Sequence, residues 1–119
     1  MAQTSIMSAP AVNLAPPKND PISIADLAKH DGTDASKPIY VAIKGRVFDV
    51  SNKKEMYGVG GGYHVFAGKD ASKGLGMSSL EAKDAVADYS GLDDKQRKTL
   101  DQWESFFEKR YNIVGQVKI

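Results

Sequence analysis

A chain of 119 residues, 41% hydrophobic and 26% charged, has the size and composition of one soluble globular domain and can bury a single core. Its 16 basic and 15 acidic residues leave a net charge of +1 with no basic stripe, which argues against nucleic acid as a partner. The lack of cysteine excludes disulfides, thiolate zinc sites, iron–sulfur clusters and cysteine nucleophiles, and no apolar run nears the roughly 18 residues that suggest a membrane span.

Residues 1–20, MAQTSIMSAPAVNLAPPKND, hold three of the five prolines and have neither helical nor strand period, so they read as a flexible leader. They also lack the basic flank and long apolar stretch of a secretory signal, and an intracellular, cytoplasmic protein is expected. The domain, 21–119, begins near Pro21. Ser23 with Asp26 resembles a capping box, and Ile24, Leu27 and Ala28 give a short apolar helix face that Gly32 ends. Residues 38–50, PIYVAIKGRVFDV, predict a hairpin: strands Ile39 to Ile43 and Arg46 to Val50 around Lys44-Gly45, with glycine at positive φ. From Ser51 to Gly62 the chain is polar and glycine-rich, too irregular for an element.

Tyr63 to Ala67 is a compact apolar segment, followed by a turn into a short helix with Asp70 near its start. Ser78 with Glu81 predicts a further helix to about Asp88, broken by Ser90-Gly91. Leu92, Gln96, Leu100, Trp103 and Phe107 lie three or four residues apart and predict an amphipathic helix of about 18 residues. Val114 and Val117 predict a closing strand. One hairpin, four helices and a returning strand make an α+β domain.

The segment 58–72, GVGGGYHVFAGKDAS, invites several chemical readings. A phosphate-binding loop fails because Asp70 follows Gly68-Lys69 and Tyr63 stands where the first glycine belongs. No glycine spacing here gives G-x-G-x-x-G between a strand and a helix. Zinc requires three or four clustered ligands, which the spacing does not offer. His30 and His64, the only imidazoles, offer a pair of ligands for one haem iron, but His30 sits in a polar helix exit where a solvated residue is the plainer reading. No G-x-S-x-G nucleophile elbow occurs. Asp84, Asp88, Asp93 and Asp94 fall on predicted helix surfaces and a helix start, so solvated faces explain them, and no spacing points to catalysis. From composition alone, a glycine-rich surface loop with Tyr63 packed on the core accounts for the segment as well as a ligand loop does.

Three separated motifs in order, YVAIKGRVFDVS, EMYGVGGGYHVFAGKDASKGLG and LDQWESFFEKRYNIVG, closely resemble the membrane-associated progesterone receptor family, a branch of the cytochrome b5-like haem/steroid-binding domains. The resemblance covers about 21–119. It implies a small mixed sheet with short helices around it forming a cleft, and haem b held by one tyrosine rather than two histidines.

The ligand position falls on Tyr63, and Tyr57 takes the upstream tyrosine that hydrogen-bonds at the haem edge. In the last motif Arg110 replaces the usual lysine and Tyr111 is kept, both near the propionates or ring edge. Arginine turns a point donor into a planar fork, and Lys109 can share its role. His64, directly after the ligand, is the alternative iron ligand. Trp103, Phe106, Phe107 and Phe66 are core and pocket wall, and Met56 and Met77 read as gap-fillers rather than sulfur ligands.

A phenol, with a reference pKa of about 10, binds as phenolate when ferric charge lowers that value, and its hard oxygen favours Fe(III) over Fe(II). The implied protein is non-enzymatic: a haem carrier or sensor, or an accessory to haem-thiolate monooxygenases of sterol metabolism. The alternative is a haem-free steroid-binding or interaction module using the same cleft. The resemblance also implies a haem-mediated homodimer, monomeric without haem, and a peripheral place at the endoplasmic reticulum.

Overall fold

In the computed structural model, residues 16–118 are described. Four strands form one mixed sheet in the order β1-β4-β3-β2: β1 (Pro21–Ser23), β2 (Tyr40–Ile43), β3 (Arg46–Asp49) and β4 (Asn112–Lys118). β1 runs parallel to β4, whereas β2–β3 and β3–β4 are antiparallel. The hairpin turns where expected, with Lys44 (φ 52) and Gly45 (φ 81) both left-handed. That pair of positive φ angles gives the turn whose twist matches right-handed strands. Gly45 meets nothing in the direction a Cβ would take, so its φ alone demands glycine.

β1 was not legible in the sequence. It is three residues long and its ladder exists only because β4 lies beside it. Ahead of it, the Lys18 amide donates to the Ile113 carbonyl at 2.9 Å and the Gln116 amide donates to the Asp20 carbonyl at 2.8 Å. Residues 1–15 of the expected leader lie outside the described residues.

The four α-helices are α1 (Ile24–Ala28), α2 (Lys54–Tyr57), α3 (Ser72–Met77) and α4 (Asp94–Arg110). The Ser23 hydroxyl caps α1 by accepting from the Asp26 amide, as the spacing predicts. In α4 the cap is reciprocal: Asp93 accepts from the Gln96 amide at 2.8 Å, and the Gln96 side chain accepts from the Asp93 amide at 3.0 Å.

Two expectations are corrected. The region 51–62 holds a 3-10 turn (Ser51–Lys53) followed by α2, fastened because Asp49 accepts from both the amide and the hydroxyl of Ser51. The helix expected over 78–88 is only a 3-10 turn (Ala82–Asp84). Ser78 does not start a helix; it ends α3 in the left-handed conformation, φ 54. The Ser79 hydroxyl then accepts from the Glu81 amide and donates to Asp84 at 2.7 Å, offering the backbone a local alternative to helix. Asp84 is therefore buried, not solvated.

Alternation along the hairpin divides the core. Val41, Ile43 and Phe48 face α3 and α4, where they meet Leu75, Leu100 and Phe107. Ala42 and Val47 point to the other face, covered by Leu27 of α1. Glu104 of α4 pairs with Lys44 at 3.0 Å and Arg46 at 2.8 Å, tying the hairpin to the long helix. No described helix is long and apolar enough to cross a membrane.

Candidate functional site

The first core runs out to the surface as an aromatic wall built by α2, the loop after it and α4. Tyr57, at the end of α2, is buried with its ring 6.1 Å from Phe107 and 6.4 Å from Tyr111. The chain then doubles back so that the Tyr63 amide donates to the Met56 carbonyl at 2.8 Å. Gly61 makes this possible: a Cβ there would lie 2.2 Å from that carbonyl oxygen. Tyr63 is half-buried, its ring 5.7 Å from Tyr57, 6.0 Å from Phe66 and edge-on to Trp103 at 6.1 Å. Tyr57, Tyr63 and Tyr111 thus come together, as the motifs imply.

The three phenols differ in state. Burial, together with the Tyr111 and Tyr63 hydroxyls, pushes the Tyr57 phenol far above the ordinary tyrosine value. Burial also raises Tyr111, opposed by the adjacent Arg110 charge. Both stay protonated. The Tyr63 hydroxyl bonds no described residue, and every buried side-chain polar atom among the described residues has a partner, so this oxygen faces solvent. Of the three, it is the one free to meet an incoming group.

Arg110 lies with its guanidinium 4.5 Å over the Phe106 ring. Lys109 is exposed beside it, and both line a groove of about 620 Å³ along α4 with Lys98, Asp101, Gln102, Ser105 and Phe106. A smaller hollow of about 260 Å³ lies between Thr99, Gln102, Trp103 and Phe106. Lys98, Thr99 and Gln102 escaped the sequence reading, although Thr99 lies four residues before Trp103, Gln102 four before Phe106 and Lys98 four before Gln102.

His64 points elsewhere: its Nε2 donates to the Asp31 carbonyl at 2.9 Å. His30 lies at 2.9 Å from the Pro38 carbonyl through Nδ1 and stacks on Tyr40 with ring centres 4.1 Å apart. Met56 packs against the first core, whereas Met77 is exposed at the end of α3. Among the described residues no group of three histidine, cysteine or acidic side chains gathers to hold a bare metal ion. The donor set is instead compatible with haem: one solvent-facing phenol on an aromatic wall, with Lys98, Lys109 and Arg110 along the neighbouring face of α4.

Residues 23–116 match the family described as the cytochrome b5-like haem/steroid-binding domain. The chain belongs to that family, in its membrane-associated progesterone receptor branch. It is 54% identical over 91 residues to the probable steroid-binding protein 3 of Arabidopsis thaliana, covering 76% of this chain and 91% of that protein. It is 43% identical to the membrane steroid-binding protein 2 of Oryza sativa subsp. japonica, over 82% of this chain but 37% of that one. A solved structure of a hypothetical Arabidopsis thaliana protein with a cytochrome b5 like fold superposes with a TM-score of 0.78 at 48% identity, covering 85% of this chain and 93% of the other. The mixed sheet and short helices are therefore those of a cytochrome b5-like domain.

Proposed function

We propose that this cytochrome b5-like domain is a non-enzymatic haem b protein in which Tyr63 is the axial ligand to ferric iron. The observation that carries the reading is the contrast between Tyr63 and Tyr57: one phenol oxygen free and solvent-facing, the other buried and held protonated. When bound, haem supplies a Lewis-acidic ferric centre whose charge ionises the phenol. The chain's own residues do the rest. Tyr57, buried and hydrogen-bonded to Tyr111, backs the ligand, and Trp103, Phe106 and Phe107 present apolar surface to a flat ring. Arg110 and Lys109 are placed to pair with its carboxylates.

A hard anionic ligand disfavours electron transfer, so carriage or sensing of haem, or service to haem-thiolate monooxygenases of sterol metabolism, follows. Relatives named as membrane steroid-binding proteins support a membrane-associated role, for which a peripheral place at the endoplasmic reticulum is our reading. Their names also support a second reading, a haem-free steroid-binding module that uses the same aromatic cleft.

The deciding experiment is an absorption spectrum of hemin-supplemented protein. A Soret band with the charge-transfer band of a ferric phenolate is expected for the native chain, and its loss in Tyr63→Phe. Retention of the full ferric spectrum in that variant moves the ligand to another residue, His64 first.

A further inference from the structure

On the opposite face of the sheet, behind Ala42 and Val47, a second hollow of about 590 Å³ opens between α1, the hairpin turn and residues 85–89. Its floor is buried Leu27, Gly68 and Ala85; its walls include Ile24, Val86 and Val117. It exists because α1 is only five residues long and cannot cover this face, and because Ala28, Gly68, Ala85 and Ala87 present little or no side chain to the space.

The polar groups around it sort themselves. The Asp70 carboxylate is engaged by the Gly45 amide at 2.8 Å and by the Ser72 hydroxyl at 2.6 Å. Lys44 is taken by Asp101 and Glu104. Among the described residues Lys69 makes no ion pair, and the Tyr89 hydroxyl bonds nothing, while its ring packs against the first core with the Arg97 guanidinium 5.9 Å from its centre. Two free donors thus stand at an otherwise apolar hollow.

We propose that this hollow is a second binding site, independent of Tyr63, for a rigid apolar small molecule of the steroid class, whose oxygens meet Lys69 and Tyr89. Its volume falls in the range of roughly 300–1,000 Å³ typical of small-molecule sites, which are apolar with a few placed polar groups. A protein partner fits less well: the exposed apolar rim is little more than Ile24 and Val86, far short of the roughly 800 Å² a stable partner covers on each side. A rigid ring system also loses little conformational freedom on entering a preformed space. The steroid thereby leaves the aromatic cleft to haem, and failure of Tyr63 to bind iron leaves this site standing.

The test is a titration of the isotope-labelled chain with progesterone, followed by backbone amide resonances. Saturable shifts are expected at Ala28, Lys69, Val86 and Ala87, in the native chain and in Tyr63→Phe, and hemin should not displace them. Ala28→Leu, at an exposed helical position that tolerates leucine, should weaken binding about tenfold by filling the space. Lys69→Ala and Tyr89→Phe should each weaken it too, with amide dispersion confirming the fold. Shifts centred on Tyr57, Tyr63 and Trp103, displacement by hemin, or no saturable shift up to the solubility of the steroid would each overturn the proposal.

Discussion

His64 Nε2 reaches the carbonyl oxygen of Asp31 at 2.9 Å, joining segments 33 residues apart. A carbonyl only accepts, so Nε2 carries the proton and the free lone pair belongs to Nδ1. The bond clips the turn that carries Tyr63 to the loop after α1. His64→Ala should therefore cost about 1 kcal/mol of stability in urea unfolding, the net worth of one such hydrogen bond. The ferric spectrum should survive it. Loss of iron binding at unchanged stability would exchange the roles of residues 63 and 64.

Gly61 and Gly62 are neighbours with opposite tolerance for a side chain. A Cβ on Gly61 would press on the Met56 carbonyl at 2.2 Å, while one on Gly62 meets nothing within 4 Å. Since that carbonyl also accepts from the Tyr63 amide, Gly61→Ala must move the loop that carries Tyr63. Expected are a loss of about 1–3 kcal/mol in stability, typical of overpacking, and weaker hemin binding. Gly62→Ala should leave both within error. Equal behaviour of the two variants in parallel unfolding and hemin titrations would show that the loop is not held this way.

The strongest local signals were read correctly. Lys44-Gly45 between two β-branched runs specified the hairpin, and the period from Leu92 to Phe107 specified α4, because each is a property of a short stretch. β1 failed that test, since three residues become a strand only when β4 is beside them. The region 78–88 misled because serine and acidic residues three apart look like a cap, whereas Ser79 and Asp84 bond each other. The motifs singled out Tyr57, Tyr63 and Tyr111, and the structure brings their rings together. Which phenol is buried and which faces solvent is a tertiary fact that no spacing encodes. The hollow behind α1 was invisible for the same reason: it is bounded by segments distant in sequence.

Glu104 holds two cations at once, Lys44 at 3.0 Å and Arg46 at 2.8 Å, and is itself mostly shielded. A hydrogen bond to Asp101, with a further one to Glu104, raises the Lys44 pKa. A raised lysine contributes stability that is complete below the unfolded value near about 10.4 and disappears as pH climbs through the higher folded value. Glu104→Gln should cost roughly 1 kcal/mol at neutral pH, as expected for a partly exposed network, and less in high salt. It should also make the alkaline loss of stability smaller and complete at lower pH, because Lys44 keeps only Asp101. Identical unfolding curves for both proteins from neutral to alkaline pH would show that the network contributes nothing.

The haem reading leaves one coordination face without a ligand from this chain, because Tyr63 supplies a single oxygen, His64 is turned toward the Asp31 carbonyl and His30 lies against Pro38 and Tyr40. An apolar macrocycle face open to water favours association with a second copy. Val59, in the loop that leads to Tyr63, is 69% exposed and adds apolar surface on the same loop. Sedimentation should therefore find a monomer without hemin and a dimer with it, at equal protein concentration. Val59→Lys should shift the hemin-loaded protein back toward monomer through charge repulsion across the two-fold contact, with the ferric spectrum unchanged. Equal masses with and without hemin would refute haem-mediated pairing, and an unaltered dimer in Val59→Lys would place the contact away from this loop.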